Sequence, residues 1–343
     1  MKCPVCGGDC IQPAHEVLAL VPQIFLPCPS CRGQTLDKKA PLKDLSFPSP
    51  CTCGKRFIDG VFAHLYTIMV EEGDLPKTAP LRQVGTPLVH PGFPMQYPPF
   101  LPKDSLLLLS RRVTRKSAER MVGEVPEIRG VVKCGDFVPG ASDSALADSP
   151  RVHELLAGCD VRANIFPTTV SPAVIYKQQS LMHIEFPRPS NPKITSVTAR
   201  ITRQMPYIFV DAFCGAGTLG IVGSLLGVPH VILNDAWYAA AYWSARNIEV
   251  NKENLFIDSF RLLREYDEMR EHPIGKDPLK IAEAEGEQRI EVYQGDFRNL
   301  HTVIPHKREI LAVLDLFEKE SHVKNRRIEK EWTDRVGGEA FIP

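Results

Sequence analysis

The run Tyr207-Ile208-Phe209-Val210-Asp211 passes directly into Ala212-Phe213-Cys214-Gly215-Ala216-Gly217-Thr218-Leu219-Gly220. An apolar strand that ends on an acid and enters a glycine-rich turn constrains the fold more than any other stretch of this chain. Lacking a Cβ, Gly215 and Gly217 let the backbone turn tightly and approach a ligand, while Gly220 lets the following helix pack close to the strand. The pattern reads as a nucleotide-cofactor site. Asp211 narrows the choice, because a carboxylate at the strand tip repels a pyrophosphate on the helix N-terminus and attracts a cationic amino group. S-adenosylmethionine carries an α-ammonium and no phosphate, so the acid favours it over a dinucleotide.

Three later segments extend the pattern. Pro229 to Asp235 is a second apolar strand ending in an acid, where a parallel sheet puts a ribose-binding carboxylate. Residues Ala236 to Asn251 are rich in Ala and aromatic side chains without Gly or Pro, and predict the crossover helix. A third strand, Arg289 to Tyr293, leads into Gln294-Gly295-Asp296-Phe297, with Asp296 suited to meet an adenine amino group. A fourth, Glu309 to Leu314, ends in Asp315-Leu316-Phe317.

With four strand-end motifs in order, residues 207 to 317 resemble a class I S-adenosylmethionine-dependent methyltransferase. The phrase from Asn234-Asp235 through Asn247-Ile248-Glu249-Val250-Asn251 is similar to the second motif of tRNA guanosine methyltransferases of the archaeal and eukaryotic type. The resemblance implies a Rossmann-like α/β domain with Asp211, Phe213, Gly215, Gly217, Thr218, Asn234, Asp235, Asp296 and Phe297 around the cofactor. It puts Asp315 and Phe317 at the methyl acceptor. In related folds the fourth strand end carries Asn-Pro-Pro-Tyr or Asp-Pro-Phe type motifs, and here Asp-Leu-Phe has lost the proline. Asp315 is the expected positioning and proton-accepting group, and Phe317 is either a stacking platform for a base or a core aromatic. Glu318 and Glu320 are neighbouring acids. Cys214, inside the glycine turn, should pack behind the cofactor rather than act as a nucleophile.

Ten cysteines are present, and seven fall within the first 53 residues. Cys3-Pro4-Val5-Cys6, Cys28-Pro29-Ser30-Cys31 and Cys51-Thr52-Cys53 look like zinc knuckles, in which a tight turn aims two thiolates at one point. Two pairings are open. Cys3 and Cys6 could join Cys28 and Cys31, or the latter could join Cys51 and Cys53, leaving Cys3, Cys6, Cys10 and His15 for another ion. Iron-sulfur ligation is a rival whose common spacings are not matched. Cys134, Cys159 and Cys214 stand apart, with a buried inert thiol as the default for each.

The organisation expected is a cysteine-rich zinc-binding module over 1–73, a proline-rich connector over 74–103, a small α+β substrate-binding domain over 104–195 and the methyltransferase domain over 196–343. Prolines from Pro76 to Pro102 exclude a helix and a central strand from the connector. Phe57 to Gly73 predicts a helix, Ser105 to Ser110 a buried strand, Lys116 to Val122 a helix and Ile128 to Lys133 a strand. The stretch from His153 through Phe166 to Pro172 is similar to the small domain that precedes the catalytic domain in the tRNA guanosine N1-methyltransferase and wyosine-synthesis family. A long insertion separates Asn251 from Arg289, with helix-like charged content around Arg261 to Arg270 and Ile281 to Glu287. Only 26 residues follow Phe317, enough for a helix around Lys324 to Asp334 and a strand near Glu339 to Ile342, but too few to finish a full methyltransferase sheet.

The net charge of zero over 343 residues means that contact with nucleic acid must come from local patches. Arg111, Arg112, Arg115, Lys116 and Arg120 form one candidate, and Lys324, Arg326 and Arg327 another, each equally readable as a solvated helix face. The N-terminus has no basic leader and the apolar runs are too short to span a bilayer, so a cytoplasmic protein is expected, without membrane contact. Together these features predict an enzyme that methylates RNA, most plausibly tRNA. A protein methyltransferase acting on a partner enzyme, or a non-catalytic cofactor-binding protein, are the alternatives.

Overall fold

The computed structural model describes residues 1–141, 150–305, 309–317 and 322–343. A short helix, α1 (Ala14–Leu20), follows the first knuckle; β1 (Arg56–Phe57) then leads into α2 (Ile58–Glu71), which is apolar on nearly every face and correspondingly buried. Next come β2 (Thr86–Val89), β3 (Phe100–Leu101), β4 (Leu106–Ser110), α3 (Arg115–Glu124), β5 (Ile128–Lys133) and β6 (Glu154–Gly158). They form a sheet of order β2-β4-β5-β6, with β3 pairing β1 instead, and α3 crosses between the parallel strands β4 and β5. The leucines of β4 are covered on both sides, by α2 and α3 on one face and by Val132, Leu155 and Ile184 on the other.

The proline-rich stretch read as a connector therefore carries two strands. Pro87 is tolerated in β2 because that strand lies at the sheet edge, where ladder bonds form on one side only.

A two-stranded antiparallel ribbon follows, β7 (Val161–Phe166) with β8 (Ala173–Gln178), and then α4 (Pro192–Gln204), capped by Asn191 accepting from the Lys193 N–H with proline in its first turn. The remaining elements are β9 (Ile208–Asp211), α5 (Thr218–Leu225), β10 (His230–Asp235), α6 (Tyr238–Val250), β11 (Ile257–Leu262), α7 (Tyr266–Glu271), β12 (Leu279–Gly286), β13 (Arg289–Gln294), β14 (Ile310–Val313), α8 (His322–Arg335) and β15 (Glu339–Phe341). Their sheet has the order β11-β12-β13-β10-β9-β14-β15, in which β13, β10, β9, β14 and β15 run parallel. Strand order reverses between β9 and β14, which opens a crevice at the carboxyl ends of the strands. This is the Rossmann-like α/β domain that the motifs predict.

The insertion corrects the sequence expectation. Of Ile281 to Glu287, all but Glu287 lies in a strand rather than a helix: β12 pairs antiparallel with β13 and β11, burying Ile281, Ala282 and Ala284 while Glu283 pairs with Arg261 and Lys280. Cross-strand pairing overrides the local helix propensity of Ala and Glu. Only the later part of Arg261 to Arg270 is helical, in α7. Strands β11 and β12 thus extend the sheet at one edge, and β15 forms the other. Among the described residues no helix is long and apolar enough to cross a membrane.

The ribbon and the Rossmann-like domain share one core, held by side-chain amides. Along the outer edge of β8, Asn247 Oδ1 accepts from the Tyr176 N–H at 2.7 Å and Asn251 Oδ1 from the Val174 N–H at 3.0 Å. Their Nδ2 groups donate to the carbonyls of the same two residues, at 2.8 and 2.7 Å. One turn apart, on α6 and at its C-cap, the two asparagines thus act as a short substitute strand. Asn247 Nδ2 also donates to Ala216 O, at 2.9 Å, inside the glycine turn. Replacing it with alanine strands buried backbone groups on both sides, so Asn247→Ala should cost about 2 to 4 kcal/mol, read from denaturant unfolding; a loss within error would remove the amide from this role.

Candidate active site

The crevice at the strand ends is a cleft of about 880 Å³, lined by Asp211, Phe213, Gly215, Thr218, Asp235, Asp296, Phe297, Asp315 and Phe317 among others. A volume of this size suits a nucleoside-sized ligand with room for an acceptor.

The glycine turn is built as its sequence requires. Gly215 has φ +52 and Gly217 has φ +84 at the N-cap of α5, both in the region that side chains avoid. Nothing lies within 4 Å of a Cβ placed on Gly215, whereas one on Gly220 would meet the Leu233 side chain at 2.5 Å. So Gly215 leaves the turn open and Gly220 admits close packing of helix on strand. The Cys214 thiol is pushed up by burial and by the carboxylates of Asp235 and Asp211, which keeps it protonated and unreactive.

Asp211 is buried at the tip of β9; Oδ2 accepts from the Gly220 N–H at 2.8 Å, while Oδ1 is enclosed without a hydrogen-bond partner. Burial, then the charges of Asp315 and Asp235, push its pKa up to about 8. Asp235 accepts from the Gly215 N–H at 3.1 Å and the Trp237 N–H at 3.0 Å, and burial raises it to about 6. It braces the turn with one lobe of each carboxylate oxygen and keeps further acceptor capacity. Asp296 caps the following 3-10 turn and is paired with Arg298, so its carboxylate is already engaged. Phe213 and Phe297 pack with ring centroids 4.9 Å apart, forming an apolar wall beside it.

Asn234 is placed differently from the expectation. It does not line the cleft; its Nδ2 donates to Ala212 O at 3.2 Å and Gly295 O at 2.9 Å, tying neighbouring strand ends together.

At the acceptor end, Lys193 Nζ lies 2.7 Å from Asp315 Oδ2, an ion pair that sets the carboxylate in the cleft. Lys177 is buried and pairs with Glu185 at 2.9 Å. Burial opposes ionisation of Glu185, but the Lys177 ammonium overrides it and holds its pKa down at about 2. Lys177 and burial push His183 down to about 3, so its imidazole is neutral. Phe317 is 57% exposed and meets His183 edge to face at 5.4 Å, which rules out the core-aromatic reading. Lys177, His183, Glu185 and Lys193 escaped the sequence reading because they belong to the segment before β9, outside the strand-end motifs. Glu318 and Glu320 lie outside the described residues.

The basic patch of α3 is largely neutralised. Arg120 contacts Glu71, Glu72 and Glu124, Lys116 pairs with Glu72, Arg115 with Glu154, and Arg111 with Asp136. In the second patch Arg327 pairs with Glu331 and Arg326 is exposed, while the side chain of Lys324 lies outside the described residues.

The cysteines resolve into two quartets. Cys28, Cys31, Cys51 and Cys53 bring their sulfurs within 4.8 Å of one another, with Cys28 to Cys51 at 3.7 Å and Cys31 to Cys53 at 3.6 Å. Cys3, Cys6 and Cys10 are joined not by His15, which pairs with Glu253 at 2.7 Å, but by Cys159. Cys159 is therefore not an isolated thiol. Tetrahedral thiolates about 2.3 Å from zinc lie about 3.8 Å from each other, and the spacing in both quartets fits.

No protein-family model matches the chain, and no curated protein matches it. Among solved structures, P. horikoshii TYW2 in complex with MeSAdo shares 17% identity at a TM-score of 0.38, over 81% of this chain and 76% of that one. Trm5b from Pyrococcus abyssi shares 13% identity at a TM-score of 0.34, over 68% of this chain and 55% of that one. Likenesses this distant decide nothing about activity, which rests on the residues themselves.

The buried carboxylate makes a pH prediction. Because the folded-state pKa of Asp211 lies above its unfolded value of 3.8, its proton stabilises the fold below about pH 4, and that contribution is lost as pH rises through about 8. Asp211→Asn keeps an acceptor for the Gly220 N–H and should flatten the decline in unfolding free energy of the ligand-free protein across this window. Parallel pH profiles for parent and variant would refute the assignment.

Proposed function

We propose that this chain transfers a methyl group from S-adenosylmethionine to a base of RNA, with tRNA as the natural acceptor. The enclosed, unpartnered Oδ1 of Asp211 beside the open face of Gly215 carries the reading. A cationic amino group satisfies that oxygen and displaces the proton that burial otherwise keeps on it. Asp235, with spare acceptor capacity at the tip of the adjacent strand, suits two ribose hydroxyls, and the Phe213 and Phe297 rings suit the adenine. Bound there, the sulfonium supplies an electrophilic methyl group.

The chain's own part is to align the acceptor and take its proton. Lys193 orients Asp315, so the carboxylate can hold an acceptor N–H or O–H and receive its proton. Neutral His183 and the exposed ring of Phe317 give a flat-sided entrance on which a planar base can stack. The two lysines behind it are each paired with an acid, so the entrance is polar without excess charge. Zinc in the quartet Cys28, Cys31, Cys51 and Cys53 holds together the knuckles that precede α2.

Methyl-labelled cofactor incubated with fractionated RNA, protein and small molecules tests the acceptor: label in RNA is expected, and label confined to protein would replace RNA with a protein substrate. Asp235→Ala should weaken cofactor binding by about 1.5 to 3 kcal/mol for each charged hydrogen bond lost, measured by calorimetry on variant shown to be folded. Unchanged affinity would exclude Asp235 from the ribose site. Asp315→Asn should bind cofactor nearly as the parent does while losing about a hundredfold or more in turnover. Parental turnover would leave Asp315 a strand-end carboxylate and move the proton acceptor elsewhere.

A further inference from the structure

We infer that Cys3, Cys6, Cys10 and Cys159 bind a second zinc ion, which staples the N-terminal segment to the turn between β6 and β7. Cys3 and Cys159 sulfurs are 3.7 Å apart, Cys10 and Cys159 3.8 Å, and Cys6 and Cys10 3.6 Å, with all four within 4.8 Å of one another. These are the edges of a tetrahedron around an ion about 2.3 Å from each sulfur. They are far longer than the roughly 2.05 Å of a disulfide.

The backbone at both ends is prepared for this. The Cys3 N–H donates to Gly8 O at 2.8 Å and the Gly7 N–H to Cys3 O at 2.9 Å, closing the knuckle. On the other side the Cys159 N–H donates to Arg129 O at 2.9 Å, and a Cβ on Gly130 would sit 2.5 Å from Cys159 O, so the turn is fixed against β5 by a glycine contact. Arg129 spans the join, donating to Val161 O at 2.8 Å and Cys10 O at 3.4 Å. Four thiols gathered at this spacing lose little by facing one another only when a cation takes their protons' place.

The staple has a route to the cleft. The next residue, Asp160, is fully buried; its Oδ2 accepts from the Ser180 N–H at 2.7 Å and its carbonyl from the Gln179 N–H at 3.1 Å. Two residues further on, Met182 and His183 line the cleft wall. The metal therefore anchors a turn that carries the acceptor end of the pocket, and does so whatever the cleft transfers.

Metal analysis of the full chain purified under reducing conditions should find two zinc ions, and X-ray absorption an all-sulfur shell at about 2.3 Å. Cys159→Ser should retain one, and residues 1–20 should gain hydrogen exchange; Cys28→Ser should also retain one while leaving exchange of 1–20 unchanged. Should Cys159→Ser fail to fold, the parent protein still decides the matter: exposed Cys6 should resist alkylation until a chelator is added. A Cys159→Ser protein with two zinc ions, a parent with one zinc and a freely alkylated Cys6, or iron in the site would each overturn the inference.

Discussion

The edge of β8 away from β7 has no strand beside it among the described residues, and the fold depends on how that edge is satisfied. Buried backbone N–H and C=O groups left without partners would cost more than any single apolar contact returns. Asn247 and Asn251 answer with four hydrogen bonds from one face of α6, doing for two residues what a neighbouring strand would do. The same helix packs its other faces on β10, β12 and β13. A single element thus fixes the ribbon, the central sheet and, through Ala216, the glycine turn.

That turn sits where four acids converge. Asp211, Asp235, Asp296 and Asp315 follow strands β9, β10, β13 and β14, and the parallel register brings their tips to one crevice. Each is handled differently. Arg298 neutralises Asp296, Lys193 neutralises Asp315, backbone N–H groups hold Asp235, and Asp211 has only the Gly220 N–H against full burial. The raised pKa of Asp211 is the consequence of burial, to which the charges of Asp315 and Asp235 add. A cleft that keeps such a group is suited to a ligand that brings its own positive charge.

The acceptor end is built from another principle. Lys177 and Lys193 each hold an acid, and their fields keep His183 neutral, so a polar pocket exists without excess charge. This agrees with a chain whose formal charge is zero and whose basic cluster at α3 is paired with Glu71, Glu72, Glu124, Asp136 and Glu154. Affinity for a polyanion would have to come from geometry and stacking as well as from cations.

What the sequence determined by itself is local. Strand tips, the glycine turn and the α6 helix were legible because apolar periodicity, a carboxylate at each strand end and the absence of Cβ at Gly215, Gly217 and Gly220 act over a few residues. The cysteine knuckles were legible for the same reason, since each is a single tight turn. Pairing between knuckles was not, because Cys159 stands 156 residues from Cys3 and only the packing of α1 and β7 in one core brings them together. Nor was β12 legible, whose Ala and Glu residues suit a helix until β11 and β13 offer ladder partners on both sides. Lys177, His183 and Lys193 carry no motif; Lys193 meets Asp315 from the first turn of α4, His183 meets Phe317 and Lys177 pairs with Glu185 from β8, juxtapositions that only tertiary structure could decide.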